Sequence, residues 1–169
     1  FTFIDSVDTD MLTSEKTTLN KIGITAKNLK QYNLIFCPIN IRNIHWTLFV
    51  VNPKSGSCFF LDPLQSDNLH SETLIKANYL RSILMEEAEM HNLKNIIEYD
   101  EMYCKQDNNH DCGPFICAFA EKIAANQPLM EIDARRIRFL TYCHLPASTL
   151  APLLEGGSDA DTNPTENFP

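Results

Sequence analysis

Three short apolar segments follow one another in the middle of the chain, and they constrain the fold more than any other feature. They are NLIFCPIN (33–40), IHWTLFVVN (44–52) and SCFFLDP (57–63). Each is rich in β-branched and aromatic residues and is bounded by Asn, Pro or Gly, which is typical of β-strands. The PKSG turn between the second and third segments offers Gly56 for a positive φ angle, so these two strands are predicted to form a β-hairpin.

Helical patterns surround these strands. Residues 71–92 carry apolar side chains at helical spacing behind Ser71, which is suited to an N-cap. Residues 113–125 and 131–140 predict two further helices, and residues 94–104 predict one more strand. The sequence therefore predicts an α+β fold, with a mainly antiparallel sheet flanked by helices.

A chain of 169 residues is long enough for one domain with a substantial core. We expect a single domain over residues 1–154, followed by a flexible tail over residues 155–169 that is poor in apolar side chains. Residues 1–32 lack a sustained period and predict loops and short helical pieces. The first residue is Phe1 rather than Met, so an N-terminal portion of the domain is expected to be missing.

Composition narrows the function classes. The net charge of −8 and the pI near 5.0 oppose binding to nucleic acid or anionic membranes. Neither an apolar run of membrane-spanning length nor a secretory signal is found, so a location in the nucleus or cytoplasm is expected. The six cysteines are too sparse for a disulfide scaffold and lack zinc-ligand spacing, so free thiols and no metal or cofactor are expected.

One cysteine occupies a position suited to catalysis. The stretch QDNNHDCGPFICAFAEKIA places Cys112 between a turn-forming polar run and the predicted helix, whose first turn contains Gly113 and Pro114. A helix N-terminus favours a thiolate, which is the nucleophilic form of cysteine. Free cysteines are more often inert core residues, however, so the local pattern alone leaves both interpretations open.

A nucleophilic thiol needs a base and stabilisation of an oxyanion. His45 begins the second strand and Asp62 ends the third, so the hairpin would bring an imidazole beside a carboxylate that can hold its tautomer. Gln106 lies six residues before Cys112, where its amide could join the Cys112 N–H in an oxyanion hole. Taken singly, each of these residues also has an ordinary structural explanation.

Together, and in this order, these residues resemble the Ulp/SENP cysteine proteases, the SUMO- and NEDD8-processing members of the adenain-like clan. The segments that carry the resemblance contain His45-Trp46, Asp62, Gln106 and Asp111-Cys112-Gly113. The resemblance implies a papain-like/adenain-like fold in which His45, Asp62, Gln106 and Cys112 are catalytic. It also implies that Trp46, Asp111 and Gly113 contact the substrate.

The family's activity is implied in the same way. The chain would act as a monomeric isopeptidase that cleaves after the C-terminal Gly-Gly of a ubiquitin-like modifier, with SUMO as the leading candidate and NEDD8 or ubiquitin as alternatives. An adenain-like endopeptidase, an effector-type acetyltransferase with the same triad and a non-enzymatic binding module are the other hypotheses. Two features depart from the family pattern. Trp46 is the only tryptophan, so the upstream Trp-containing motif that family members usually carry is not found, and Pro63-Leu64 replaces a serine-containing turn.

Overall fold

The computed structural model of the chain describes residues 1–64, 67–99 and 103–143. Within these residues the strands form one sheet in the order β1-β2-β3-β4-β5. The strands are β1 (Thr2–Phe3), β2 (Ile35–Ile41), β3 (His45–Val51), β4 (Cys58–Leu61) and β5 (Ile96–Glu98). The β2–β3 and β3–β4 pairs are antiparallel, as the apolar segments predict, whereas the outer β1–β2 and β4–β5 pairs are parallel.

The turn between β3 and β4 forms the predicted hairpin, and Asn52 organises it. Asn52 Oδ1 accepts hydrogen bonds from the N–H groups of Lys54 and Ser55, each at 3.0 Å. Gly56 has a φ of 73°, and a Cβ atom at this position would lie 2.1 Å from the main-chain oxygen of Asn92. Both the left-handed backbone and the close approach therefore require glycine here.

Two helices cover opposite faces of the sheet. They are α3 (Asp67–Glu86) and α4 (Cys112–Ala124). Alternate residues of a strand point to opposite faces, so Phe49 packs in the core cluster on the α3 side and Leu48 packs in the cluster that contains Phe119 of α4. The sheet therefore has a core on each side, and its central strands are buried almost completely.

The remaining helical segments are α1 (Ser6–Thr13), a 3₁₀ turn (Asn20–Ile22), α2 (Ala26–Lys30) and α5 (Ala134–Cys143). The Asp5 and Thr25 side chains cap the N-termini of α1 and α2, in agreement with the short helical pieces predicted near the start of the chain. The chain divides into two compact units, Phe1–Ala134 and Arg135–Pro169. The sheet and helices α1 to α4 belong to the first unit.

The boundaries of α3 differ from the prediction of 71–92. Ser71 lies within the helix, four residues after its first residue, and the helix ends at Glu86. Glu89 has a φ of 53°, a left-handed conformation that a helix cannot contain. Met90 and Leu93 are nevertheless buried, so the apolar spacing continues into a packed loop, and this spacing explains why the sequence predicts a helix that is too long.

The other differences are smaller. The strand predicted over 94–104 is limited to β5, and residues 100–102 lie outside the described residues. Helix α4 begins one residue before the predicted position, and α5 begins three residues after it. The tail predicted over residues 155–169 also lies outside the described residues. No helix in the described ranges combines the length and the apolar character needed to cross a membrane.

Candidate active site

His45 is the first residue of β3, and a tight turn determines its place. Ile41 O accepts a hydrogen bond from the Ile44 N–H at 3.0 Å, and the intervening Arg42 and Asn43 have φ angles of 53° and 59°. Two successive left-handed residues define a type I′ turn, whose twist suits an antiparallel pair of strands. The turn ends immediately before His45, so the imidazole lies at the end of the sheet.

Asp62 lies beside His45 because of the β3–β4 register. Leu48 is paired with Leu61, so Asp62 follows β4 and points to the same face of the sheet as His45. His45 Nε2 lies 2.7 Å from Asp62 Oδ1, and the two residues are 2% and 0% exposed. A carboxylate can only accept, so Nε2–H donates this bond. The same oxygen accepts the Leu64 N–H at 2.9 Å.

Cys112 is the first residue of α4 and is 6% exposed. The side chain of His45 and the main-chain N–H groups of Trp46 and Gly113 lie near enough to its sulfur to stabilise the thiolate. Since Nε2 of the imidazole is bonded to Asp62, the ring nitrogen that serves Cys112 is Nδ1. One imidazole therefore joins the carboxylate to the thiol.

The electrostatics of the pair favour its charged form. Burial acts to raise the pKa of the Cys112 thiol, but hydrogen bonds from His45 and from two main-chain N–H groups outweigh it, so the pKa lies below the ordinary value of 9.0. Burial also opposes the charge on His45, yet the contacts with Asp62 and Cys112 raise its pKa from 6.5 to about 9. Both shifts favour the thiolate–imidazolium pair, the nucleophilic form, over the neutral thiol and imidazole.

Gln106 lies in the loop that leads to α4 and is 7% exposed. Its main-chain N–H donates to Pro63 O at 2.9 Å, which ties this loop to the turn after Asp62. Its side-chain Nε2 donates to the main-chain oxygen of Asn108. An amide nitrogen carries two hydrogens, so one N–H remains for another acceptor, and the role of Gln106 as an oxyanion donor stays a prediction.

The three residues predicted to contact substrate lie around the thiol. Trp46 and Gly113 flank Cys112 through their N–H groups, and a Cβ atom added to Gly113 would lie 4.0 Å from Trp46 Cδ1. The indole and the bare Cα of the glycine therefore face each other. Asp111 precedes Cys112, and its Oδ2 accepts a hydrogen bond from Asn108 Nδ2 at 2.7 Å.

The sequence alone does not predict the part that Asn108 plays, because there it is one residue of a turn-forming polar run. Its side chain and its main-chain oxygen contact both Gln106 and Asp111. The spacing of Asn108, three residues before Asp111, is the signal that could have indicated a side-chain-capped turn.

A thiol that attacks an acyl group needs a neighbouring base that favours its thiolate form. A histidine oriented by a buried carboxylate is suited to this role. With the α+β fold, these features define a cysteine-type peptidase domain. The family model described as the Ulp1 protease family, C-terminal catalytic domain, matches residues 2–141. The chain belongs to this family, which confirms the resemblance seen in the sequence.

Individual relatives agree with this assignment. Ubiquitin-like-specific protease ESD4 of Arabidopsis thaliana is 30% identical over 111 residues, which cover 62% of this chain and 21% of that protein. The curated relatives matched are much longer, and the matches cover 31% of their length or less.

Solved structures share the fold. The C-terminal Ulp1 protease domain in complex with SMT3, the yeast ortholog of SUMO, has a TM-score of 0.65 and 22% identity and covers 81% of this chain and 64% of that one. The Xanthomonas campestris effector XopD bound to ubiquitin has a TM-score of 0.50 and 18% identity, with 80% and 74% covered. At sequence identities of 22% and 18%, the structural similarity shows that the folds are the same.

Proposed function

We propose that the chain is a thiol isopeptidase that cleaves after the C-terminal Gly-Gly of a ubiquitin-like modifier, with SUMO as the leading candidate. One observation carries the proposal: the imidazole of His45 is buried between Asp62, at 2.7 Å, and the thiol of Cys112 at the start of a helix. The assignment of these three residues as the catalytic triad is part of the proposal.

The reaction follows from the protonation states. The Cys112 thiolate attacks the carbonyl carbon of the second glycine, and the oxyanion that forms accepts hydrogen bonds from the Cys112 N–H and the free N–H of the Gln106 amide. His45 Nδ1–H then protonates the departing amine, which leaves a thioester. Neutral Nδ1 next removes a proton from water, and the hydroxide releases the modifier carboxylate and restores the thiolate. Asp62 keeps Nε2 protonated throughout.

The choice of a Gly-Gly tail is supported by the space beside the nucleophile. The Trp46 ring faces Gly113, and the main-chain N–H groups of both residues help to stabilise the thiolate. An extended substrate that reaches the sulfur has to pass between Trp46 and Gly113. The two glycines of a Gly-Gly tail have no side chains and therefore meet the least steric resistance there. Substrates with larger residues at these two positions are expected to be rejected.

The choice of modifier is supported by the relatives. ESD4 is named a ubiquitin-like-specific protease, and a solved structure of the same fold is bound to the yeast ortholog of SUMO. Ubiquitin remains the second candidate, because XopD of the same fold is bound to ubiquitin. A nuclear or cytoplasmic location and a monomeric state stay predictions.

The test is a panel of vinyl sulfone probes built on SUMO, NEDD8 and ubiquitin, which trap a reactive thiol as a covalent adduct. The wild-type chain is expected to form an adduct with the SUMO probe, and Cys112→Ala is expected to form none. Cys117→Ala is the matched control, because Cys117 is an exposed thiol on the same helix and its loss should leave the adduct unchanged.

The alternatives give different results in the same assay. Cleavage of peptides without any probe adduct would support an adenain-like endopeptidase. Transfer of a labelled acetyl group from acetyl-CoA would support an acetyltransferase. Tight binding of a modifier without an adduct would indicate a binding module and would refute the proposed activity.

A further inference from the structure

Asn108 makes more hydrogen bonds than a loop residue needs in order to form a turn. Its Oδ1 accepts the N–H groups of His110 and Asp111, each at 3.0 Å. Its Nδ2 donates to Asp111 Oδ2 at 2.7 Å and to Asp107 Oδ1 at 3.1 Å. Its main-chain oxygen accepts a hydrogen bond from Gln106 Nε2. One residue thus contacts both the residue before the nucleophile and the amide of Gln106.

We propose that Asn108 is a positioning residue that sets the orientation of the Gln106 amide relative to Cys112. The inference rests on the proposed function, since it concerns the oxyanion hole of the same reaction. It assigns to Asn108 a role that acts through Gln106 and involves no contact with substrate.

The Asn108 side chain holds its own backbone in place. Two N–H groups bonded to one side-chain oxygen form a closed turn of the kind that asparagine favours. The additional bond from Nδ2 to Asp111 connects this turn to the residue that precedes α4. The main-chain oxygen of Asn108 is therefore held at a set position relative to the start of the helix, and so relative to the sulfur of Cys112.

That oxygen in turn selects the orientation of the Gln106 amide. A carbonyl oxygen accepts hydrogen bonds and repels another oxygen. The Asn108 oxygen therefore holds the Gln106 amide with Nε2 facing it and opposes the 180° rotation that would exchange Nε2 and Oε1. Gln106 Oε1 is buried and has no hydrogen-bond partner among the described residues, so it supplies no competing restraint. Because one N–H of Nε2 is bonded to Asn108, the second N–H is restricted to a single direction. An oxyanion donor requires this kind of preorganisation.

The test is a double-mutant cycle of Asn108→Ala and Gln106→Ala, measured as kcat and KM on coumarin amides of SUMO, NEDD8 and ubiquitin. Loss of one oxyanion donor lowers kcat by about 10²- to 10³-fold, and we expect Asn108→Ala to lower kcat by about tenfold or more with KM within about twofold. The double variant should be no slower than Gln106→Ala, because the two residues act through one hydrogen bond.

A second measurement separates positioning of Gln106 from an effect on the nucleophile. The pH profile of Cys112 alkylation by iodoacetamide should be the same in Asn108→Ala as in wild type, because the thiolate is stabilised by His45, Trp46 and Gly113. The matched control is Asn109→Ala: this neighbouring asparagine is exposed, and its replacement should leave kcat unchanged. If Asn108→Ala fails to fold, Asn108→Ser, which can form a similar turn, replaces it in the cycle.

The outcomes are distinct. Losses in kcat that multiply in the double variant, a shifted alkylation profile, or an Asn108→Ala variant as active as wild type would each overturn the inference and leave the proposed function intact. A wild-type chain that cleaves none of the three substrates would refute the proposed function and this inference together.

Discussion

Asp62→Asn is expected to weaken the ion pair between His45 and Cys112. The pKa of His45 is raised from 6.5 to about 9, which corresponds to about 3 kcal/mol of preference for the charged ring. Of the two groups that raise it, Asp62 contributes more than Cys112. Removal of the carboxylate charge is therefore expected to cost on the order of 2 kcal/mol, or about 30-fold in the ratio of the thiolate–imidazolium pair to the neutral pair.

Loss of the correct tautomer adds to this effect. The amide of asparagine can turn its NH₂ toward Nε2, which moves the imidazole proton to Nδ1 and removes the base that activates water. The equivalent change in a serine protease triad lowers kcat by about 10⁴. We therefore expect kcat/KM of Asp62→Asn to fall by about 10³-fold or more.

The assay is the rate at which iodoacetamide alkylates Cys112 as a function of pH, followed by mass spectrometry of the peptide that contains it. In the wild type, alkylation is expected to be fast below the ordinary thiol pKa of 9.0, because the pKa of Cys112 is lowered. In Asp62→Asn the rise should move to higher pH. Glu89→Gln, which removes a carboxylate from an exposed ion pair with Lys30, is the control and should leave the profile unchanged.

One result would refute this reasoning. If Asp62→Asn remains folded and its alkylation profile matches that of the wild type, then Asp62 does not sustain the ion pair. Its 2.7 Å contact with His45 would then have only a structural role. A fall in activity with an unchanged profile would limit the role of the carboxylate to orienting the imidazole.

Three further predictions test other parts of the site and the fold. The kcat/KM should rise with pH through the lowered pKa of the thiol and fall as the pH passes about 9, where His45 loses its proton; a steady rise through pH 9 would contradict this assignment. Gly113→Ala should keep its thermal midpoint, since the new Cβ lies 4.0 Å from Trp46 Cδ1, but should cleave Gly-Gly substrates about tenfold more slowly; unchanged kinetics would show that substrate does not pass there. Gly56→Ala should lower the free energy of unfolding in urea by about 2 kcal/mol or more, because its φ is 73° and its Cβ would lie 2.1 Å from Asn92 O; a neutral result would contradict the turn geometry.

The sequence determined the parts of this protein that depend on local pattern. The hairpin of β3 and β4 could be predicted because segments rich in β-branched and aromatic residues and a glycine turn are encoded within a few residues. That hairpin then brings His45 and Asp62 together, since a two-strand register follows from a short turn. The start of α4 could be predicted to within one residue in the same way, from a turn-forming run followed by Gly-Pro.

Only the tertiary structure decided the features that depend on residues distant in the chain. β1 and β5 have two and three residues and pair in parallel with β2 and β4, and such short strands are defined by their partners rather than by a period. The sequence did not predict where α3 ends, because buried apolar residues continue past Glu86. The ion pair between His45 and Cys112 likewise depends on burial and on contacts between residues 67 positions apart, because a pKa is set by the three-dimensional surroundings of a group.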